Sequence, residues 1–216
     1  MTDYAARRAR MVERQLRARG IEDERVLAAM GEVPREAFLP ARGRHRAYAD
    51  SALPIGEEQT ISQPWIVAAI CQALDLRGDE RVLEVGTGSG YSACVLARLA
   101  ATVVSVERYE RLSRGAGEVL AELGVENVEL LVGDGSGGVP DHGPFDAIAV
   151  HAAAPTPPPA LLEQLAEDGR MVVPVASHAA DTLTVLWRRG AGFEAASLGP
   201  CQFVPLIGAG GFARES

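Results

Sequence analysis

No lysine occurs among the 216 residues of the chain, so its 21 basic side chains are all arginine. They are outnumbered by 29 acidic residues, which leaves a formal net charge of −8. Binding the phosphates of nucleic acid requires clustered positive charge, so this acidic balance argues against a nucleic-acid partner. Hydrophobic residues make up 47% and charged residues 23%, which is typical of a globular domain and not of a disordered chain.

Cysteine and long apolar runs are also scarce. Cys71, Cys94 and Cys201 form no CxxC pair and the four histidines are scattered, so we predict no metal site. The longest nearly apolar stretch, residues 65–74, is far shorter than the ~20 residues that span a bilayer. The Arg-rich N-terminal stretch has no apolar signal core. We therefore expect a cytoplasmic protein with reduced thiols and no membrane contact.

The order of helical and extended patterns predicts the fold class. Two helical pieces are expected within residues 1–31, broken at Gly20, and the proline-containing stretch 32–63 is expected to be irregular. Ser62 is a candidate N-cap for a helix over residues 63–76. From residue 80 onward, strands alternate with helices, which indicates crossover units and a largely parallel sheet. The predicted strands are 81–86, 102–107, 128–133, 146–150 and 170–175, and the predicted helices are 91–99, 111–123 and 159–166.

The C-terminal part lacks a helical pattern after Asp181. Residues 183–188 and 203–206 are predicted to pair as antiparallel strands at one edge of the sheet. The fold class is thus α/β, with a doubly wound, mostly parallel sheet, an antiparallel C-terminal edge and an N-terminal helical cap. We expect a single domain, residues 1–216. Its parts are the cap segment 1–76, the core 77–208 and a tail 209–216.

A glycine loop, Gly86-Thr87-Gly88-Ser89-Gly90, connects the first core strand to the following helix. Glycines in such a loop allow a tight turn and let a ligand lie against the main chain. Glu107 ends the next strand, where a carboxylate can accept both ribose hydroxyls of an adenosine ligand. The loop alone is a weak signal, because turns between strand and helix are often rich in glycine.

The neighbours of the loop favour a cationic ligand over a dinucleotide. The third glycine comes one residue earlier than in G-x-G-x-x-G, and Glu84 precedes the loop. A carboxylate repels a pyrophosphate but attracts a sulfonium or an ammonium group. Asp134-Gly135 ends the third strand and adds an acceptor for an adenine amino group. Ligands bind at the carboxyl ends of such strands, so we predict S-adenosylmethionine as the cofactor.

Several segments outside the loop are more specific than the loop itself. The most specific is Gln-Thr-Ile-Ser-Gln-Pro at residues 59–64. The others are residues 33–38, 47–50, 53–56, 84–91, 133–135 and 203–206. With these segments, the sequence resembles the protein-L-isoaspartate O-methyltransferase family from about Met11 to Gly208, within a Rossmann-like methyltransferase fold.

The resemblance implies methyl transfer from S-adenosylmethionine to the free α-carboxylate of isoaspartyl residues in damaged proteins and peptides. It implies that Ser62 is catalytic and that Thr60, Ile61 and Val204 join it in binding the acceptor. Residues implied to bind the cofactor are Glu84, Gly86, Thr87, Gly88, Ser89, Gly90, Glu107, Asp134 and Gly135. A monomer is expected. Ser62 as a helix cap alone remains an alternative.

Three positions depart from the family pattern: Glu58 replaces a glycine, Trp65 replaces histidine or tyrosine, and His151 replaces threonine. His151 is predicted either to contact substrate or a carboxylate, or to be a packed or solvated histidine. Two other functions stay open, a relative that methylates an aspartate of one dedicated peptide and a non-catalytic module for adenosyl ligands. A nucleic-acid methyltransferase is disfavoured, because the chain lacks an Asn/Asp-Pro-Pro-aromatic run.

Overall fold

The structure is a computed structural model and describes residues 3–213. Residues 214–216 of the predicted tail lie outside the described residues. The helices are α1 (Tyr4–Met11), α2 (Glu24–Glu32), α3 (Pro64–Leu74), α4 (Tyr91–Ala97), α5 (Glu110–Glu122) and α6 (Pro159–Glu163). The strands are β1 (Leu53–Gly56), β2 (Gln59–Ile61), β3 (Arg81–Val85), β4 (Thr102–Glu107), β5 (Val128–Val132), β6 (Phe145–Val150), β7 (Leu165–Val175), β8 (Asp181–Arg189) and β9 (Gly192–Cys201).

Seven strands form the central sheet in the order β5-β4-β3-β6-β7-β8-β9. The pairs among β3 to β7 are parallel, and β8 and β9 are added antiparallel. This confirms the predicted α/β fold with a mostly parallel sheet and an antiparallel C-terminal edge. The strand order reverses between β3 and β6, and in open α/β sheets ligands bind at the carboxyl ends of the strands beside such a reversal.

Alternate side chains of the strands enter two separate hydrophobic cores, because successive residues of a strand point to opposite faces. Val82 and Val172 belong to one core, and Leu83 and Met171 belong to the other. The first core also contains the N-terminal residues Met11, Leu16, Val26 and Met30. The N-terminal helices therefore pack on the sheet itself, and the break between them at Gly20 is confirmed by its left-handed conformation.

The antiparallel partner of β8 was predicted wrongly. β8 pairs with β9 along its whole length and not with residues 203–206. β9 is exposed at most of its positions, so it lacks the apolar alternation by which a strand is found in a sequence. Pro205 instead forms an isolated bridge with Ala153, which brings residues 203–206 to the tip of β6.

The stretch 32–63 is also more regular than predicted. It contains two 3₁₀ segments and the hairpin β1–β2, whose turn residues Glu57 and Glu58 both have positive φ. Such a turn favours glycine. Glu58, which stands where the family pattern has a glycine, adopts this left-handed conformation nevertheless.

The N-cap prediction for Ser62 is wrong, because α3 begins at Pro64 after Gln63 and has no side-chain cap. The α3 helix ends at Leu74, where Asp75 turns left-handed.

Candidate active site

A cleft of about 780 Å³ opens at the carboxyl ends of β3, β4 and β6. Six of the predicted cofactor residues line it: Gly86, Thr87, Gly88, Ser89, Glu107 and Gly135. All four predicted acceptor residues, Thr60, Ile61, Ser62 and Val204, line it as well. The structure thus brings together residues from five distant parts of the sequence.

Glu107 is the carboxylate that faces this cleft. Its Oε2 accepts a hydrogen bond from the Gly88 N–H at 2.8 Å, and its Oε1 accepts one from the Tyr109 N–H at 3.0 Å. Gly86 and Gly88 have φ of 96° and 54°, which is the region that favours glycine. The loop after β3 and the tip of β4 are therefore held together by Glu107, whose carboxylate oxygens keep further lone pairs for a ligand.

Three predicted cofactor residues lie outside the lining of the cleft. Glu84 is completely buried behind the loop and accepts a hydrogen bond from the Ser105 hydroxyl. Gly90 packs on α5, because a Cβ there would lie 2.9 Å from the Cβ of Ala116. The cofactor contacts expected of these residues and of Asp134 stay predictions.

The Asp134 carboxylate holds the loop after β5 against the C-terminal segment. It accepts hydrogen bonds from the Ser136 N–H and hydroxyl, at 3.0 and 2.6 Å, and from the Ala209 N–H at 2.8 Å. Partial burial acts to raise its pKa, but these hydrogen bonds and the positive charge of Arg108 outweigh that effect. The pKa of Asp134 is consequently lower than its usual value.

A second groove lies beside the cleft, and Ser62 lines both. Arg19, Trp65 and Phe203 line it, and the Trp65 Nε1–H donates to the Arg19 carbonyl at 3.2 Å. The cleft and the groove share four lining residues: Thr60, Ser62, His151 and Val204. Three of these four, all except His151, are among the acceptor residues predicted from the sequence.

Arg35 supports the Ser62 segment from behind. Its side chain is fully buried, Nη2 donates to the Ser62 carbonyl at 2.7 Å, and Nε donates to the Ala47 carbonyl at 2.8 Å. The guanidinium lies 4.8 Å from the centre of the Tyr91 ring, which lines the cleft. Burial lowers the pKa of Arg35 and raises that of Tyr91 to about 12. The family resemblance included Arg35, but its role was invisible because its hydrogen bonds span up to 27 positions and the Tyr91 ring is more distant still in the sequence.

His151 is the fourth shared residue, and its place in the site was left open by the sequence. It follows β6, and its side chain is 7% exposed. Its Nε2 lies 2.8 Å from the Ser92 Oγ and 3.3 Å from the Glu84 Oε1. The position after a strand that ends near the glycine loop was the only signal for this residue.

The thiols are not activated nucleophiles. Cys71 and Cys94 are buried, and Cys201 is half-buried on the wall of the groove. Burial raises the pKa of Cys94 and of Cys201 to about 11 and that of Cys71 further still. Within residues 3–213, no cluster of three His, Cys, Asp or Glu side chains could hold a metal ion. Over the same residues, no helix has the length and apolar character needed to cross a membrane.

Comparison with known proteins identifies strong similarity along almost the whole chain. The model of the protein-L-isoaspartate(D-aspartate) O-methyltransferase family matches residues 6–210. The protein-L-isoaspartate O-methyltransferase of Methanoculleus marisnigri is 51% identical over 208 residues, covering 96% of this chain and 94% of the relative. That of Koribacter versatilis is 49% identical over 213 residues, covering 99% and 96%.

Solved structures agree with these sequence matches. A protein-L-isoaspartate O-methyltransferase structure superposes with a TM-score of 0.85 at 31% identity, covering 94% of this chain and 67% of that one. A Plasmodium falciparum structure, described as such an enzyme in complex with S-adenosyl-L-homocysteine, superposes with a TM-score of 0.80. It is 24% identical and covers 93% of this chain and 98% of its own, so it supports the fold alone.

Proposed function

The chain belongs to the protein-L-isoaspartate(D-aspartate) O-methyltransferase family, and from this premise we propose its reaction. It transfers a methyl group from S-adenosylmethionine to the free α-carboxylate of L-isoaspartyl residues in damaged proteins and peptides. The observation that carries the proposal is the wall shared by the cleft and the groove. The cleft holds the glycine loop and Glu107 for a nucleoside, the groove beside it can take a peptide, and Ser62 lines both.

The cleft fits the methyl donor at three points. Glu107 is fixed by two backbone N–H groups and can accept the ribose hydroxyls through its remaining lone pairs. Gly86 and Gly88 place bare backbone at the lining, where a ligand can lie close. Behind them, the buried Glu84 keeps an Oε1 without a hydrogen bond, and this negative charge favours a cationic ligand. Thr87, Ser89 and Gly135 complete the donor side in this proposal.

The residues on the acceptor side bind and orient a carboxylate. S-adenosylmethionine supplies a methyl carbon that its sulfonium already activates, and a carboxylate is already a nucleophile, so no strong base is required. The work of the protein is dehydration and alignment, and alignment can contribute up to roughly 7–11 kcal/mol in the best cases. Ser62 makes no helix-capping bond, so its hydroxyl is free to donate to one carboxylate oxygen. Thr60, Ile61 and Val204 form the surrounding wall.

The ester formed on the acceptor would then react without further help from the protein. The nitrogen of the following residue attacks the ester carbonyl, methanol leaves, and a five-membered succinimide closes. Hydrolysis of the succinimide returns part of the material to the normal aspartyl linkage. Repeated cycles amount to protein repair.

A methyl-transfer assay on two peptides that differ only in one aspartyl or isoaspartyl linkage tests the proposal. We expect the isoaspartyl peptide to be preferred by orders of magnitude in kcat/KM. Preference for ordinary aspartate would instead indicate a relative dedicated to one peptide. Binding of S-adenosylhomocysteine by calorimetry without transfer to either peptide would indicate a non-catalytic module.

The proposal also covers the cellular location and the oligomeric state of the protein. We infer a cytoplasmic location, supported by three free cysteines in a chain that uses none for disulfides. We also infer a single domain, supported by N-terminal helices that share their core with the sheet, and we propose that the protein is a monomer. Light scattering coupled to size-exclusion chromatography measures the mass, and a dimer would contradict this part of the proposal.

A further inference from the structure

His151 lies on the wall that the cleft and the groove share. It directly follows β6, and its backbone N–H donates to the Val85 carbonyl at 2.8 Å, so its backbone is tied to the tip of β3. A Cβ on Gly86 would lie 3.4 Å from the His151 Cβ, so the glycine loop passes close to the histidine. The side chain is only 7% exposed, yet it lines both the cleft and the groove.

The two ring nitrogens of His151 have different surroundings. Nε2 is engaged, at 2.8 Å from the Ser92 Oγ and 3.3 Å from the Glu84 Oε1. None of the side-chain hydrogen bonds among residues 3–213 uses Nδ1. Ser92 thus holds the ring by one nitrogen, beside the Glu84 carboxylate, and the other nitrogen stays available to a ligand.

We propose that His151 binds the carboxylate of the acceptor through Nδ1, where the cleft and the groove share a wall, and so helps to determine which acceptors are used. The inference rests on the proposed function, since it assigns a residue to the acceptor of that reaction. A ring that carries a proton on Nδ1 is a hydrogen-bond donor toward a carboxylate. Ser62 and His151 then hold one carboxylate from two directions.

A pair of variants tests the assignment. His151→Leu keeps an apolar side chain of similar size without a donor, whereas His151→Asn keeps an amide nitrogen close to the position of Nδ1. We expect His151→Leu to raise the KM for an isoaspartyl peptide and its Kd in the S-adenosylhomocysteine complex at least tenfold. His151→Asn should recover most of that loss. The Kd for S-adenosylhomocysteine itself should stay within about twofold in both variants.

His178→Leu is the matched control, because His178 is exposed in the loop between β7 and β8. Peptide KM and Kd values for His151→Leu equal to those of the wild type and the control would overturn the assignment. An equal loss in His151→Leu and His151→Asn, or a loss confined to S-adenosylhomocysteine binding, would also overturn it, since the ring would then act on packing or on the donor. If the wild type binds the peptide without methylating it, the proposed function fails, but the Kd comparison still decides the role of His151.

Discussion

The proposed donor side and the proposed acceptor side of the site are built in different ways. On the donor side, Glu107 is held by the backbone of positions 88 and 109, which lie in the loops directly after β3 and β4. On the acceptor side, Ser62 is held through its carbonyl by Arg35, and the shared wall is completed by His151 and Val204 from remote segments. The donor side is therefore a property of the sheet, whereas the acceptor side depends on how the N-terminal cap packs on it.

Removal of the Glu107 carboxylate is expected to have the largest effect, and to act on the donor side alone. Hydrogen bonds to a charged group contribute about 1.5–3 kcal/mol each, and Glu107→Ala removes those expected to both ribose hydroxyls. We expect the Kd for S-adenosylhomocysteine, measured by calorimetry, to rise about 100-fold or more. Glu118→Ala removes an exposed carboxylate from the neighbouring α5 and should leave the Kd unchanged. A Glu107→Ala variant with near wild-type affinity would contradict the assigned role.

Gly135 tests the packing of the donor side without touching a charge. A Cβ at this position would lie 2.8 Å from the Val85 Cγ1, so Gly135→Ala overpacks the tip of β3. We expect the free energy of unfolding to fall by about 1–3 kcal/mol in chemical denaturation. Gly137→Ala in the same 3₁₀ turn meets no atom within 4 Å and should change it by less than about 0.5 kcal/mol. Equal effects of the two variants would show that the turn adjusts freely.

The same contrast explains how much the sequence could predict. Buried strands carry continuous apolar runs, and the glycine loop and Glu107 follow them directly, so the sheet and much of the donor side were predictable. β9 was missed because it is exposed, and the β1–β2 hairpin because two glutamates form its turn. The buried depth of Glu84 and the contacts of Arg35 and His151 depend on residues distant in sequence. No local pattern encodes such contacts.

Ser62 tests the chemistry of the acceptor side. Ser62→Ala removes the hydroxyl proposed to hold the acceptor carboxylate, and we expect kcat to fall at least tenfold (~1.4 kcal/mol). The Kd for S-adenosylhomocysteine should be unchanged. The melting temperature should also be preserved, since Ser62 caps no helix. Ser177→Ala, at an exposed loop position, is the control. Wild-type turnover in Ser62→Ala would contradict this role. It would mean that backbone groups and neighbouring side chains hold the carboxylate.

Arg35 tests the dependence of the acceptor side on the cap. Arg35→Met leaves the Ala47 and Ser62 carbonyls without their hydrogen-bond donor, which costs about 1–3 kcal/mol of folding free energy for each carbonyl. It also removes a buried cation, whose desolvation costs several kcal/mol in the wild type. The two effects on stability oppose each other, whereas the Ser62 segment loses its support in either case. We expect kcat/KM to fall about tenfold, whereas the free energy of unfolding should change by a smaller factor.

Arg114→Met, at an exposed position on α5, is the matched control for Arg35→Met. Activity and stability are measured together, by methyl transfer and by chemical denaturation. A variant that loses stability without losing kcat/KM would assign Arg35 to the core alone.

The arginines of the N-terminal segment give the smallest expected effect. Arg19 lines the groove and pairs with Asp50 at 2.7 Å, whereas Arg7 and Arg10 line a separate surface depression with His45. Exposed charges contribute about 0.2–1 kcal/mol and are screened beyond about 8 Å at physiological salt. We therefore expect Arg19→Gln to lower kcat/KM for an acidic isoaspartyl peptide about twofold to fivefold at low salt and to flatten its salt dependence. The double variant Arg7→Gln/Arg10→Gln should do neither, and an equal flattening in both variants would mean that the whole basic face guides the peptide.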